Sequence, residues 1–387
     1  MAEIYANSTL TIAASSSSGP HEGLFRVADP NFIGLPVSKS SHIRARRPLD
    51  LASGDLPLLR RGWVFQERLL SPRIIHFANH ELIWECMELL DCECQGTQDK
   101  PSGTALPWPV SKTYCQQKRW RALKHQPVRI TEMWTNLIIN YYMLALSKPD
   151  DIFPAISGIA KSFREATGWE YSAGMWKQTM IYCLTWHTHD RYSQTRCIPW
   201  RAPTFSWASI RLNQTPTVGI NYPKWKDMDE SAIVEEVRCC PKGDDPTGQL
   251  ESGYIILSST VIQATIFDTQ NRVSVRIRTL PPEGADAAVF FFKADFDLKQ
   301  ADYEVHDGAT VFCLKLFDRK FSVDYGVWLV LIKRNSTVWE CNGTQGDCEF
   351  ERIGLMQPFH EDESDPRTFE EASSEQATRL NAMVKII

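Results

Sequence analysis

The run Arg61-Gly62-Trp63-Val64-Phe65-Gln66-Glu67-Arg68-Leu69-Leu70-Ser71-Pro72 holds the residues best placed to do chemistry. Read as a short helix, it sets Trp63 and Glu67 one turn apart, on a face shared with Gln66 and Leu70, because residues at i and i+4 lie one above the other. A carboxylate beside a large apolar plate can serve as a catalytic acid or as a stabiliser of developing positive charge. The competing structural reading pairs Glu67 with Arg60, Arg61 or Arg68 and gives it the task of ordering the turn that follows.

Two further groupings have chemistry-bearing side chains. Cys86, Cys92 and Cys94 lie near His76 and His80, which invites a zinc reading. Structural zinc sites, however, show paired C-x2-4-C spacings and four clear ligands. Here only Cys92 and Cys94 are close in sequence, and free buried thiols are the expectation. His187 and His189 stand two apart, a spacing that does not share a helix face. There is no G-x-S-x-G nucleophile elbow, no G-x-G-x-x-G and no P-loop.

The elements that position these groups can be read from the pattern. Pro72 disfavours helical geometry at Ser71, so the Trp63 helix is predicted to stop there. A hairpin follows, Arg73 to Phe77, a turn at Ala78-Asn79-His80, then Glu81 to Cys86. Upstream, residues 1 to 7 read as a helix end and Thr9 to Ala14 as a buried strand before the loop Ser15-Ser16-Ser17-Ser18-Gly19-Pro20. The stretch from Gln95 to about Ser111 reads as loop. Ile130, Trp134, Leu137, Ile138, Tyr141 and Leu144 form one helical stripe. Asp150-Asp151 opens a helix reaching Phe163, and Met175 to Trp186 reads as another, ended by His187 to Asp190. From about Ile210, short alternating segments separated by Gly, Pro, Asp and Asn indicate an antiparallel, β-rich region. An acidic stretch, His360 to Glu375, precedes a last helix at Ala372 to Val384.

With these residues in view, the run RGWVFQERLLSPRIIHFANHELIWEC resembles the last signature block of the fungal HET (heterokaryon incompatibility) domain, and MAEIYANSTLTIAAS resembles the tail of its middle block. Asp151 to Gly158, Ala173 to Trp176, Arg201 to Ser209 and Gly248 to Tyr254 are similar to segments that commonly follow that domain. The resemblance implies a truncated α/β, TIR-like HET remnant at 1–95, a mainly helical region at 96–210 and a β-rich domain at 211–387, α+β overall. In the family a Tyr-x-Trp-Gly-type block and a Trp-(Ile/Leu)-Asp-x-x-Cys-Ile block precede the helix in which Met1 falls, so the expectation is a chain lacking the start of its HET domain. The strand Leu10 to Ala14 would then lie at an open sheet edge, which invites pairing with another chain.

The resemblance also implies two functions. In NAD-cleaving TIR domains a Trp is followed four residues later by the catalytic Glu, a spacing that Trp63 and Glu67 reproduce. Glu67 would steady the cationic ribosyl transition state as nicotinamide leaves, as carboxylates do in glycoside cleavage, with Arg61, Trp63, Gln66 and Arg68 supporting the motif and NAD as substrate, not cofactor. The other implied function is an interaction or signalling module of non-self recognition and programmed cell death, with a protein partner.

Composition bounds these readings. The chain has 387 residues, 43% hydrophobic and 11% aromatic with 13 Trp, which describes a globular protein with substantial cores. Its 42 basic and 47 acidic residues give a net charge of −5, an argument against nucleic acid as a partner. No run approaches the roughly 18 apolar residues of a membrane span, and no signal-peptide pattern opens the chain, so the expected location is cytoplasmic. The Trp200 to Trp207 stretch reads as aromatic core rather than a base-stacking platform.

Overall fold

The computed structural model describes residues 1–38, 42–45, 56–93, 112–188, 194–212, 220–223, 225, 228–267, 275–279, 289–319, 326–333, 349–356 and 380–387. The architecture is mixed α+β. It forms two compact units: Met1–Gln126 with Asn136–Gly168, and Pro127–Thr135 with Trp169–Ile387. These divisions do not coincide with boundaries near 95 and 210, because the stripe-bearing helix Pro127–Tyr142 contributes to both units.

The first unit is built on a four-stranded sheet in the order Thr11–Ala13, Arg73–Phe77, Leu82–Cys86, Leu90–Cys92. The first pair is parallel and the others antiparallel. The predicted hairpin forms, with Ile75 opposite Trp84 and His76 opposite Ile83. Ile74, His76, Ile83 and Glu85 point inward. Leu56, Leu59, Val64, Ile83 and Cys92 make one apolar cluster. The strand Thr11–Ala13 is an edge, as expected, but it is not buried: Ile12 is 60% exposed.

The helix Gly62–Leu70 is seated by two close approaches. Gly62 N donates to the carbonyl of Ala145 at 2.8 Å, and Ala145 N to that of Arg60 at 2.8 Å. A Cβ at Gly62 would stand 2.5 Å from Leu146 Cδ2. Gly158, in the helix Ser157–Thr167, packs as tightly, since a Cβ there would meet Ala2 Cβ at 2.4 Å and Gln66 Oε1 at 2.8 Å. At Gly62 the half-buried Leu146 side chain would have to shift, whereas at Gly158 the crowding atom is the Cβ of Ala2, which cannot rotate away.

In the second unit a nine-stranded sheet is described. Its spine is the 18-residue strand Leu250–Phe267, which pairs with Ile233–Pro241 and Leu380–Ile386 through its first part and with Val275–Thr279 and Thr310–Arg319 through its second. Thr310–Arg319, Val327–Lys333, Glu349–Met356, Val289–Ala294 and Val275–Thr279 complete a ring of pairings back to it. Two helices predicted from the sequence are overturned here. Met175 to Trp186 begins as a strand, Met175–Trp176, followed by a 3-10 turn and only a four-residue helix, Met180–Cys183. Ala173 and Gly174 take positive φ of 49° and 86°, turning the chain so that Trp134 and Trp207 both donate their indole N–H to Gly174 O. Of the predicted last helix, Ala372 to Val384, residues 372–379 lie outside the described residues, and the rest falls in the strand Leu380–Ile386, with Val384 and Ile386 buried and Met383 exposed, the period of two of a strand.

Trp207 and Phe205 are fully buried, and Trp186 donates to Phe205 O at 2.8 Å, in keeping with an aromatic core. Arg352 is also fully buried, and every nitrogen of its guanidinium is paired. Nε and Nη2 fork onto Asp295 at 2.8 and 3.1 Å, Nη1 donates to Leu184 O, and Nη2 donates also to Trp186 O. The predicted loop from Gln95 to Ser111 and the acidic stretch His360 to Glu375 lie outside the described residues, apart from Lys112 onward. Among the described residues, no helix is long and apolar enough to cross a membrane.

Candidate functional site around the Trp63 helix

The helix starts where Arg61 is still extended, at φ −87° and ψ 130°, and stops at Ser71, φ −64° and ψ 127°, ahead of Pro72. Ser71 closes it twice, through N–H to Glu67 O at 3.2 Å and through Oγ to the same oxygen at 2.8 Å. Val64, Phe65, Gln66, Arg68 and Leu69 are buried, whereas Trp63 and Glu67 are half-buried and Arg61 is exposed.

Three of the four side chains predicted to support a site, all but the exposed Arg61, make scaffold bonds. Trp63 donates its indole N–H to Asp151 Oδ2 at 2.9 Å, which fixes the ring against the turn Pro149–Ile152. Gln66 Oε1 accepts the backbone N–H of Gly158. Arg68 turns away from Glu67 and forks onto Glu85, with Nε 2.8 Å from Oε2 and Nη2 2.7 Å from Oε1. The pairing of Glu67 with a neighbouring arginine is therefore corrected: Glu67 makes no ion pair among the described residues. Its carboxylate lies instead beside Tyr5, whose phenol pKa is raised by partial burial and then by the charge and hydrogen bonding of Glu67.

Behind the helix lies a buried polar relay. Glu85 Oε2 meets His76 Nε2 at 3.1 Å, and His76 Nδ1 meets Ser15 Oγ at 2.8 Å. Burial works to raise the Glu85 carboxyl, but the Arg68 charge and the hydrogen bonds from His76 and Arg68 hold it down at about 2. Glu85 is thus an acceptor only, so His76 Nε2 carries the proton and Nδ1 accepts from the Ser15 hydroxyl. Burial keeps His76 neutral by lowering its pKa against the pull of Glu85. Lys112 joins the cluster, donating to Ser71 O, and burial lowers its ammonium pKa to about 8 despite the attraction of Glu85.

A Ser-His-Glu chain of this kind resembles a nucleophile and its base. Ser15 and His76 are both fully buried, though, so no substrate reaches the hydroxyl. The relay stitches the Ser15 loop, the hairpin and the helix together. The sequence offered a readable signal for it: in the alternating hairpin, His76 and Glu85 fall on the inward face, where polar side chains must find partners.

The zinc grouping does not come together as ligands. His76 is bound into the relay, and the His80 ring stacks on Phe32 with centroids 3.9 Å apart. Cys92 is disulfide-bonded, which corrects the expectation that all the thiols are free; its partner lies outside the described residues, while Cys86 and Cys115 are free. Among the described residues, no three His, Cys, Asp or Glu side chains form a group able to hold a metal. His187 lies in a short strand, His187–Thr188, paired with Ile220–Asn221, rather than at a helix end, and His189 falls outside the described residues.

No protein-family model, no curated protein and no solved structure matches this chain. What the helix can do must be judged from its own contacts.

Proposed function

We propose that this chain is a HET-domain protein of fungal non-self recognition and incompatibility-linked cell death, acting in the cytoplasm as an interaction and signalling module with a protein partner. In this reading residues 1–95 are a TIR-like HET remnant that does not turn over nucleotide by itself. The observation that carries it is the fate of the motif residues: Trp63 is held by Asp151, Gln66 by Gly158 and Arg68 by Glu85, so the run acts as a structural clamp. Trp63 spends its single donor, and Arg68 its Nε and Nη2, inside the scaffold rather than beside Glu67.

The second reading, a TIR-like NAD-cleaving enzyme with Glu67 as its acid, is favoured by one feature. Glu67 is half-buried, shares a helix face with Trp63 and is the carboxylate of the run without an ion pair among the described residues. Incubating the purified chain with NAD separates the two. The module reading expects no nicotinamide release. Release that Glu67→Ala abolishes would install the enzymatic reading in its place.

A further inference from the structure

The second unit carries a cleft of about 320 Å³ that has no part in the function proposed above. Its walls include Arg196, Trp200, Glu251, Tyr254, Tyr303 and Glu351. Arg196 is only 5% exposed. Its backbone is fixed by the side-chain amide of Gln300, which accepts from Arg196 N at 2.7 Å and donates to Arg196 O at 3.0 Å. Among the described residues the guanidinium makes one hydrogen bond, from Nη2 to Arg352 O, while Nε and Nη1 are buried with no hydrogen-bond partner there. The rings of Phe296 and Tyr303 cover it, their centroids 4.5 and 5.4 Å from Cζ.

The contrast with Arg352 decides what this means. A buried arginine that serves structure is saturated, as Arg352 is, because each orphaned donor costs its full desolvation. Arg196, its neighbour, is left with two unpaired nitrogens. Aromatic faces attract a cation, but they do not replace the oxygen acceptors that those N–H groups have lost on leaving water.

The other charges of the cleft narrow the ligand. Arg201 is occupied with the carbonyls of Ala208 and Ile210, and Lys385 pairs with Glu349 at 2.7 Å. Three carboxylates, Glu251, Glu349 and Glu351, share the walls with these cations. A nucleotide or other polyanion would meet all three. A molecule bearing one carboxylate and one ammonium finds a complement for each. Trp200, 40% exposed, and Tyr254 offer it an apolar wall, and the volume suits a small molecule.

We propose that this cleft binds a small zwitterion of the free amino acid class with an apolar side chain. The ligand carboxylate takes the unpaired N–H groups of Arg196 as the Tyr303 ring turns aside, its ammonium faces Glu251, and its side chain lies along Trp200 and Tyr254.

The test is calorimetric titration of the full chain with L-phenylalanine, L-tyrosine and L-leucine, and with N-acetyl-L-phenylalanine, L-phenylalaninamide and inorganic phosphate as controls. At least one of the three amino acids is expected to bind with a Kd of about 1 mM or tighter. Blocking the carboxylate should weaken binding about tenfold or more, since it leaves the buried Arg196 donors unmatched, and blocking the amine should weaken it measurably but less, since Glu251 is exposed. Arg196→Met should abolish binding yet leave the Tm of the free protein unchanged or raised, because it removes orphaned donors. Tyr303→Ala should keep or tighten binding. The proposal is overturned if none of the three amino acids binds, if phosphate or the N-acetyl compound binds as well as the parent, if Arg196→Met retains binding, or if Arg196→Met lowers the Tm, the result a structural arginine would give.

Discussion

Arg68 and Glu85 form a forked ion pair, 2.8 and 2.7 Å long, in which both side chains are almost wholly buried. This pair takes from Glu67 the arginine next to it in sequence, and it turns one end of the Trp63 helix into a clamp on the hairpin. Breaking it from one side leaves an uncompensated charge in the core. Arg68→Leu or Glu85→Leu should each destabilise the protein by about 3–5 kcal/mol. The double variant Arg68→Met, Glu85→Met should recover most of that loss. Urea denaturation of the four proteins checks it, and a double variant no better than the singles would refute the clamp.

The relay sets a pH dependence whose sign follows from the two shifts. Glu85 has a folded-state pKa of about 2 against an ordinary 4.5, so its contribution is present above about 4.5 and is lost as the pH falls toward 2. His76 is lowered from 6.5, so below that value the unfolded chain takes up its proton before the folded one does, and stability falls with pH. His76→Gln should therefore flatten the stability profile between about pH 6.5 and 5 while leaving the steep loss below about 4.5. Stability measured across that range, with an unchanged slope in the variant, would count against the neutral, buried His76.

Gly158 has no space for a side chain. Gly158→Ala places a Cβ 2.4 Å from Ala2 Cβ and should cost about 1–3 kcal/mol through overpacking. Adding Ala2→Gly should restore part of it, the remainder coming from Gln66 and Leu70, which also stand within about 3 Å of that Cβ. Thermal melts of the single and double variants read this directly.

Trp63→Phe keeps an aromatic ring but removes the donor to Asp151. The expected loss is about 1.5–3 kcal/mol, as for a hydrogen bond to a charged acceptor. Asp151→Asn, which can still accept, should cost less. Equal losses would mean that the indole bond is not what holds the turn.

Much of the first unit was legible in the residues. The Ser-Pro stop and the hairpin follow from local rules and formed as read, and the helical stripe formed over the segment Pro127–Tyr142, with Leu144 left beyond its end. The failures have physical causes. The helix read at Met175 to Trp186 ignored the positive φ that Ala173 and Gly174 adopt to bring two indoles onto one carbonyl. Where the last predicted helix reaches described residues, from Leu380, the alternation of Val384 and Ile386 is set by pairing with Leu250–Phe267, a partner far away in sequence. In the candidate site the residues were named but their partners were not. Asp151, Gly158 and Glu85 reach Trp63, Gln66 and Arg68 across 88, 92 and 17 positions of sequence, distances over which no local pattern speaks.

The central claim is that the Trp63 helix serves a signalling module through its scaffold and not through catalysis at Glu67. Its most direct test is the death of fungal cells expressing the wild-type chain or its Glu67→Ala variant at matched levels, with cellular NAD measured in parallel. The account expects the two chains to kill equally, with NAD unchanged before death. Death and NAD loss that vanish together in Glu67→Ala, or a wild-type chain that kills no cells, would contradict it.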